Sequence, residues 1–203
     1  MKTRHLLALA PLALALVSGL SAQSVLLGKN IFPEGGFDIY GESRLNPSGW
    51  KFPDRNDRPW ALGFRAEAVA GEKATNRELR IVHPEAKGVT IVTGQVQLPA
   101  KVDRLRVNFR MLPNAVVPGE DDPAGNGAGI FVRFYDAAGT HLRGVGGWAG
   151  GLAKSADTEW QERESVYSVP TDAVRLELSI IMRSASGDVR FDDIEVVPVT
   201  MSE

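Results

Sequence analysis

"KVDRLRVNFRM", Lys101 to Met111, alternates without a break once past its aspartate. Leu105, Val107, Phe109 and Met111 fall on one side of an extended chain, and Arg104, Arg106, Asn108 and Arg110 on the other. Successive strand residues point to opposite faces, so this pattern marks a half-buried antiparallel strand. "AVRLELSII" repeats it, with Val174, Leu176, Leu178 and Ile180 set against Arg175, Glu177, Ser179 and Ile181.

Working outward, "GVTIVTGQVQL", "GIFVRFYD", "THLRGVG", "QERESVYSVP" and "GDVRFDDIEVV" read as further strands, and "RELRIVH" joins them. "DAAGT", Asp136 to Thr140, reads as a tight turn between two of them. "NAVVPGEDDPAGNGAG", Asn114 to Gly129, reads as a long loop, and its Glu120, Asp121 and Asp122 as a solvated acidic turn. From Asn30 to Asn76 the pattern is irregular, as if long loops drape over one edge; "AEAVAGEKA" has the composition of a short helical turn. Many short strands, Gly/Pro turns and no helical interleaving predict an all-β fold: a two-sheet antiparallel β-sandwich of one domain.

The first stretch stands apart. Lys2 and Arg4 precede an apolar run from Leu6 to Val17, and Ala22 offers a small-residue cleavage site before Gln23. Residues 1–22 read as a signal peptide, too short in the apolar part for a comfortable membrane span, and residues 23–203 as the exported domain, secreted or periplasmic. About 180 residues remain, enough for a core of their own. The formal net charge of −2 falls by two more without Lys2 and Arg4, which argues against a general nucleic-acid binder. The chain has no cysteine, which excludes thiol nucleophiles and thiolate zinc sites.

"LLGKNIFPEGGF" near the start, "GW" at Gly49–Trp50, "VRFYDAAGTHL", "TEWQERESVYSVPTDAVRLELSI" and "GDVRFDDIEVV" together resemble the jelly-roll carbohydrate-binding modules of the galactose-binding-like fold. Among these, the chain resembles the xylan/glucan-binding group attached to bacterial glycoside hydrolases. The resemblance runs over essentially the whole mature chain. It implies non-catalytic binding of a polysaccharide beside glycan-degrading enzymes. It also addresses an oddity in the last strand, where the adjacent carboxylates Asp192 and Asp193 interrupt an apolar run, and a buried unpaired carboxylate is costly. Such modules commonly hold a structural Ca²⁺ between the N-terminal segment and the last strand. The resemblance therefore assigns Glu34, Asp192 and Asp193 as metal ligands, although Pro33 before the glutamate departs from the family's pattern.

Binding residues are sought among exposed rings and polar strand faces. Trp50 and Trp160 read as packed, whereas Trp148, flanked by glycines in "GVGGWAGGLAK", reads as a loop-borne ring for stacking on sugar; Trp60 and Tyr40 are weaker cases. Arg106, Asn108 and Arg110 should stand in line on one face, with Arg133 and Tyr135, His141 and Arg143, and Glu177 beside Ser179 sharing it. Arginine forks suit carboxylates and sulfates, so a groove of this kind would favour an acidic glycan. "GGWAGGLAK" lacks the Gly–Lys step of a phosphate loop, and Pro47 spoils "NPS" as a glycosylation acceptor.

Two alternatives stay open. A glycoside hydrolase would draw its carboxylate pair from Glu162, Glu164 and Glu177, and a polysaccharide lyase its base from His83, His141 or Tyr135. No nucleophile elbow or histidine-rich metal spacing supports either. The other alternative is a structural or protein-binding surface module.

Overall fold

The structure is a computed structural model that describes residues 28–38, 49–53, 63–71, 76–122, 124–154 and 159–199. The signal-peptide reading, Tyr40, Trp60 and the side chain of Glu34 lie outside the described residues. The elements run η1 (Pro33–Gly36), β1 (Trp50–Lys51), β2 (Arg65–Ala70), β3 (Arg77–His83), β4 (Val89–Gln97), β5 (Arg104–Pro118), β6 (Gly127–Tyr135), β7 (Gly147–Ala153), β8 (Gln161–Ser168), β9 (Arg175–Arg183) and β10 (Ala185–Pro198). They form two five-stranded antiparallel sheets, ordered β1-β4-β9-β6-β7 and β2-β3-β10-β5-β8. Among the described residues, no helix is long and apolar enough to cross a membrane.

The alternating strands behave as their sequences dictate. Leu105, Val107, Phe109 and Met111 of β5 are buried, and so are Leu176, Leu178 and Ile180 of β9. Together with Phe134, Ile130, Phe191 and Leu79 they make one core between the two sheets. Each such side chain contributes roughly 1.5–3 kcal/mol by leaving water. Val174 departs from the alternation and is 40% exposed, because β9 starts one residue later at Arg175.

Three expectations are corrected. "AEAVA" is not helical: Arg65–Ala70 is strand β2, paired residue for residue with β3, and pairing overrides the helix preference of alanine. β5 continues through Asn114 to Pro118, paired with β10 at Asp188↔Asn114, Ser186↔Val117 and Ala185↔Pro118, so the expected long loop keeps only its acidic centre. There Asp122 accepts the Gly125 N–H at 3.0 Å and Asp121 accepts the Asn126 amide at 2.8 Å. "THLRGVG" is a turn with a single bridge, Tyr135↔His141, and the strand lies instead in the glycine-rich "GWAGGLA". The Asp136–Thr140 turn forms as expected, closed by Gly139 N–H to Asp136 O at 3.0 Å.

The N-terminal segment inserts its aromatics rather than merely covering an edge. Phe32 and Phe37 pack on Trp50 with ring centroids 5.1 and 5.0 Å apart, over Gly94 of β4. The same segment runs along β10, with Gly28 N–H to Pro198 O at 3.0 Å and Ile31 N–H to Val196 O at 2.8 Å. Gly35 is required there, since a Cβ would lie 1.7 Å from the Ile194 carbonyl oxygen. At the far side of the sandwich, Arg163 and Ser165 of β8 bond the Gly150 backbone of β7, joining the edges of the two sheets.

Candidate functional site

The expected single binding face is split in two. Arg106, Asn108 and Arg110 lie on β5, whereas Arg133, Tyr135 and Glu177 lie on β6 and β9 of the other sheet. Alternation sends all six side chains outward, so they stand on opposite outer faces of the sandwich. β5 and β6 are consecutive in the chain but cross between sheets, and a period-two pattern carries no record of that crossing.

The outer face of the β1-β4-β9-β6-β7 sheet carries a connected polar row. Pairing places Gln95, Glu177 and Arg133 side by side across β4, β9 and β6. The Glu177 carboxylate accepts from Gln95 Nε2 at 3.2 Å, Tyr135 OH at 3.3 Å, Ser179 Oγ at 3.3 Å and Arg133 Nη1 at 3.4 Å. Arg133 also donates to Ser179 Oγ at 2.6 Å. Burial, then the neighbouring Glu177 charge, pushes the Tyr135 hydroxyl above its ordinary pKa and keeps it a donor.

Rings flank this row on both sides. Trp148 pairs with Phe131 across β7 and β6, edge to face at 5.1 Å, and Arg133 covers the Phe131 ring at 4.7 Å. Trp148 is thus a half-buried strand residue rather than a loop ring. On the other side Tyr135 lies 5.6 Å from His141 and carries Arg175 over its face at 4.8 Å. His141 and Arg143 are exposed in the turn that follows. Arg175, like Gln95 and Phe131, belongs to this site although the sequence reading did not single it out. Its place between Gln97 and Tyr135 depends on strand order.

On the opposite sheet, Arg106 reaches Glu164 at 3.7 Å, Asn108 donates to Glu195 at 2.8 Å, and Arg110 reaches Asp193 at 3.3 Å. Trp160 is not packed into apolar core; Arg110 stacks over its ring at 4.7 Å.

The paired aspartates of the last strand part company. β10 slips register between Asp192 and Glu195, and Asp193 takes a left-handed φ of 50° at the bulge. Asp193 therefore turns out, its side chain 58% exposed. Asp192 is 1% exposed, accepting from Asn76 Nδ2 and from the Asp193 N–H, each at 2.8 Å. Burial pushes its carboxyl up to about 6, against those two hydrogen bonds, with the Asp193 and Glu78 carboxylates adding to the rise. Among the described residues no three His, Asp or Glu side chains converge as a metal shell. Asp192 still has the chemistry of a calcium ligand, a buried carboxylate held by neutral N–H donors beside another carboxylate. Asp193 is drawn instead to Arg110.

His83 is 1% exposed and bridges the sheets, its Nδ1 3.0 Å from Ala185 O and its Nε2 2.8 Å from Thr90 Oγ1. It cannot meet a substrate, which removes it as a lyase base.

No protein-family model matches the chain, and no curated protein sequence does. Solved structures do. Tailspike protein 4 of bacteriophage CBA120, in its enzymatically active domain, superposes with a TM-score of 0.58 at 12% identity over 84% of this chain and 21% of that one. The tandem CBM22-1-CBM22-2 domain of a Paenibacillus barcinonensis protein gives 0.53 at 13% identity, over 90% and 49%. The CBM22-1-GH10 modules of a Clostridium thermocellum endo-1,4-beta-D-xylanase, complexed with xylohexaose, give 0.51 at 16%, over 86% and 28%. The chain has the fold of a jelly-roll carbohydrate-binding module. It spans between a fifth and a half of the length of these three chains.

Proposed function

We propose that the protein binds a polysaccharide, without cleaving it, on the outer face of the β1-β4-β9-β6-β7 sheet. The observation that carries this reading is the Gln95–Glu177–Arg133–Tyr135 network flanked by Trp148/Phe131 and Tyr135/His141. A sheet face supplies an extended row of donors and acceptors for vicinal hydroxyls. Aromatic rings at its margins match the apolar faces of pyranose rings. The network is already ordered before a ligand arrives, which lowers the entropic cost of binding.

One shared-fold structure belongs to a xylanase and is complexed with xylohexaose, another is a CBM22 tandem, and this supports the glycan class. In our reading the glycan is neutral rather than acidic. The expected arginine row is divided between two faces, and Arg133 is compensated by Glu177 at 3.4 Å. The protein acts beside glycan-degrading enzymes and outside the cytoplasm, the latter supported by its leader-like first 22 residues. A calcium ion held by Asp192, with Glu34 from the adjoining segment, would neutralise the buried acid and tie the N-terminal segment to β10. Elimination is disfavoured at His83, which is enclosed, and at Tyr135, whose hydroxyl burial holds above its ordinary pKa.

A glycan array on the mature protein tests the proposal. Retention on a neutral β-linked polysaccharide, with no new reducing or unsaturated ends, is expected. Retention on none would favour a protein-binding surface module.

A further inference from the structure

The opposite face of the sandwich contains a groove that the proposed sheet-face site does not use. Its volume is about 510 Å³, and Gly36, Arg110, Glu162, Arg163, Asp193 and Glu195 are among its lining residues. That size lies within the ~300–1,000 Å³ typical of small-ligand sites.

Its shape follows from two backbone features. Between Asp192 and Glu195, β10 carries one residue more than its partner, so Asp193 and Ile194 face the single residue Phe109 of β5. The bulge lifts the strand and re-aims Asp193. η1 then packs against the raised Ile194 carbonyl, an approach that only Gly35 permits, and forms one wall. Glu162, Arg163 and Glu164 of β8 form the other.

The lining alternates donors with acceptors. The carboxylate of Glu195 is oriented by the Asn108 amide at 2.8 Å and that of Asp193 by Arg110 at 3.3 Å. Arg163 lines the groove with its backbone, because it pairs with the buried Phe109 and turns its guanidinium inward to the Gly150 carbonyl oxygen and Gln161 Oε1. Two oriented carboxylates beside the Arg110 guanidinium match the adjacent hydroxyls of a sugar, which donate and accept in turn. Glu162, Glu164, Asp193 and Glu195 outnumber Arg110 among the charged side chains of the lining, so an anionic saccharide is repelled.

We infer that this groove is a second saccharide site, taking one or two units of a neutral sugar and facing away from the first. Two outward-facing sites on one rigid sandwich would let a single molecule bridge two glycan chains, with the gain in avidity that follows from tethering. The inference stands on the groove's own lining and does not require the sheet face to bind.

Backbone amide NMR on the mature protein, titrated with millimolar xylohexaose and with neutral gluco- and galacto-oligosaccharides, tests it. The expected result is movement of the Gly36, Arg163 and Ile194 amides with at least one sugar. That movement should persist in Trp148→Ala and disappear in the isosteric double variant Glu162→Gln/Glu195→Gln. Movement confined to Phe131, Trp148 and Glu177 amides would leave the sheet face standing and overturn the groove. No movement at Gly36, Arg163 and Ile194 with any of these sugars overturns it as well, whatever the sheet face does.

Discussion

Replacing His83 by glutamine should change how the fold responds to acid. The imidazole sits between the sheets, with Phe64 edge-on at 4.5 Å, Ala185 O at Nδ1 and Thr90 Oγ1 at Nε2. A carbonyl oxygen only accepts, so Nδ1 carries the proton and Nε2 accepts from threonine. Burial lowers the pKa from 6.5 to about 4, outweighing the Ala185 hydrogen bond that raises it. The folded-state pKa is depressed, so the unfolded chain binds a proton first as pH falls through 6.5. Stability is therefore lost on acidification, and the loss is complete below about pH 4. At 1.36 kcal/mol per unit, the shift corresponds to about 3 kcal/mol. Asp192 works in the opposite sense: raised from 3.8 to about 6, it favours the fold below 3.8 and loses that contribution as pH rises through 6. Wild type alone would thus show a partly cancelled profile. Urea unfolding of wild type and His83→Gln, followed by tryptophan fluorescence from neutral pH to about pH 4, isolates the histidine because Asp192 is common to both. Glutamine keeps an amide donor and acceptor without a titrating group. The variant should gain about 3 kcal/mol relative to wild type over that range. A stability difference that does not change with pH would refute the reasoning.

Gly35→Ala should destabilise by about 1–3 kcal/mol, because its Cβ meets backbone at 1.7 Å and the strand cannot retreat; thermal melting measures it. EDTA should lower the melting temperature of mature protein and Ca²⁺ restore it, by about 2.7 kcal/mol at a hundredfold excess over Kd. Asp192→Asn should abolish that response while Asp193→Ala retains it. Retention on the bound polysaccharide should be insensitive to salt, since a neutral glycan offers no charges to screen; affinity electrophoresis at low and high ionic strength reads this directly.

The fold was legible wherever burial alternates cleanly. The β5 pattern names its buried residues from Leu105 to Met111, and the β9 pattern names Leu176, Leu178 and Ile180 but misses the buried Ser179 and Ile181. β7 was not legible, because its glycines carry no period; Gly150 and Gly151 adopt positive φ, and strand pairing with β6 holds them. β2 was hidden by its alanines. At the site, the residue types were readable and their grouping was not. Arg110 and Arg133 look equivalent in sequence, yet strand order puts them on opposite sides of the molecule. The fate of Asp192 and Asp193 turned on a bulge, and one extra residue sends neighbouring carboxylates in different directions.

The central claim is that the β1-β4-β9-β6-β7 face holds the glycan. Isothermal titration of the array-selected oligosaccharide into wild type, Trp148→Ala and Glu177→Gln tests it most directly, with melting curves to confirm that each variant is folded. Each substitution should weaken sheet-face binding by about tenfold or more, equivalent to about 1.4 kcal/mol. Wild-type affinity in both folded variants would contradict the account.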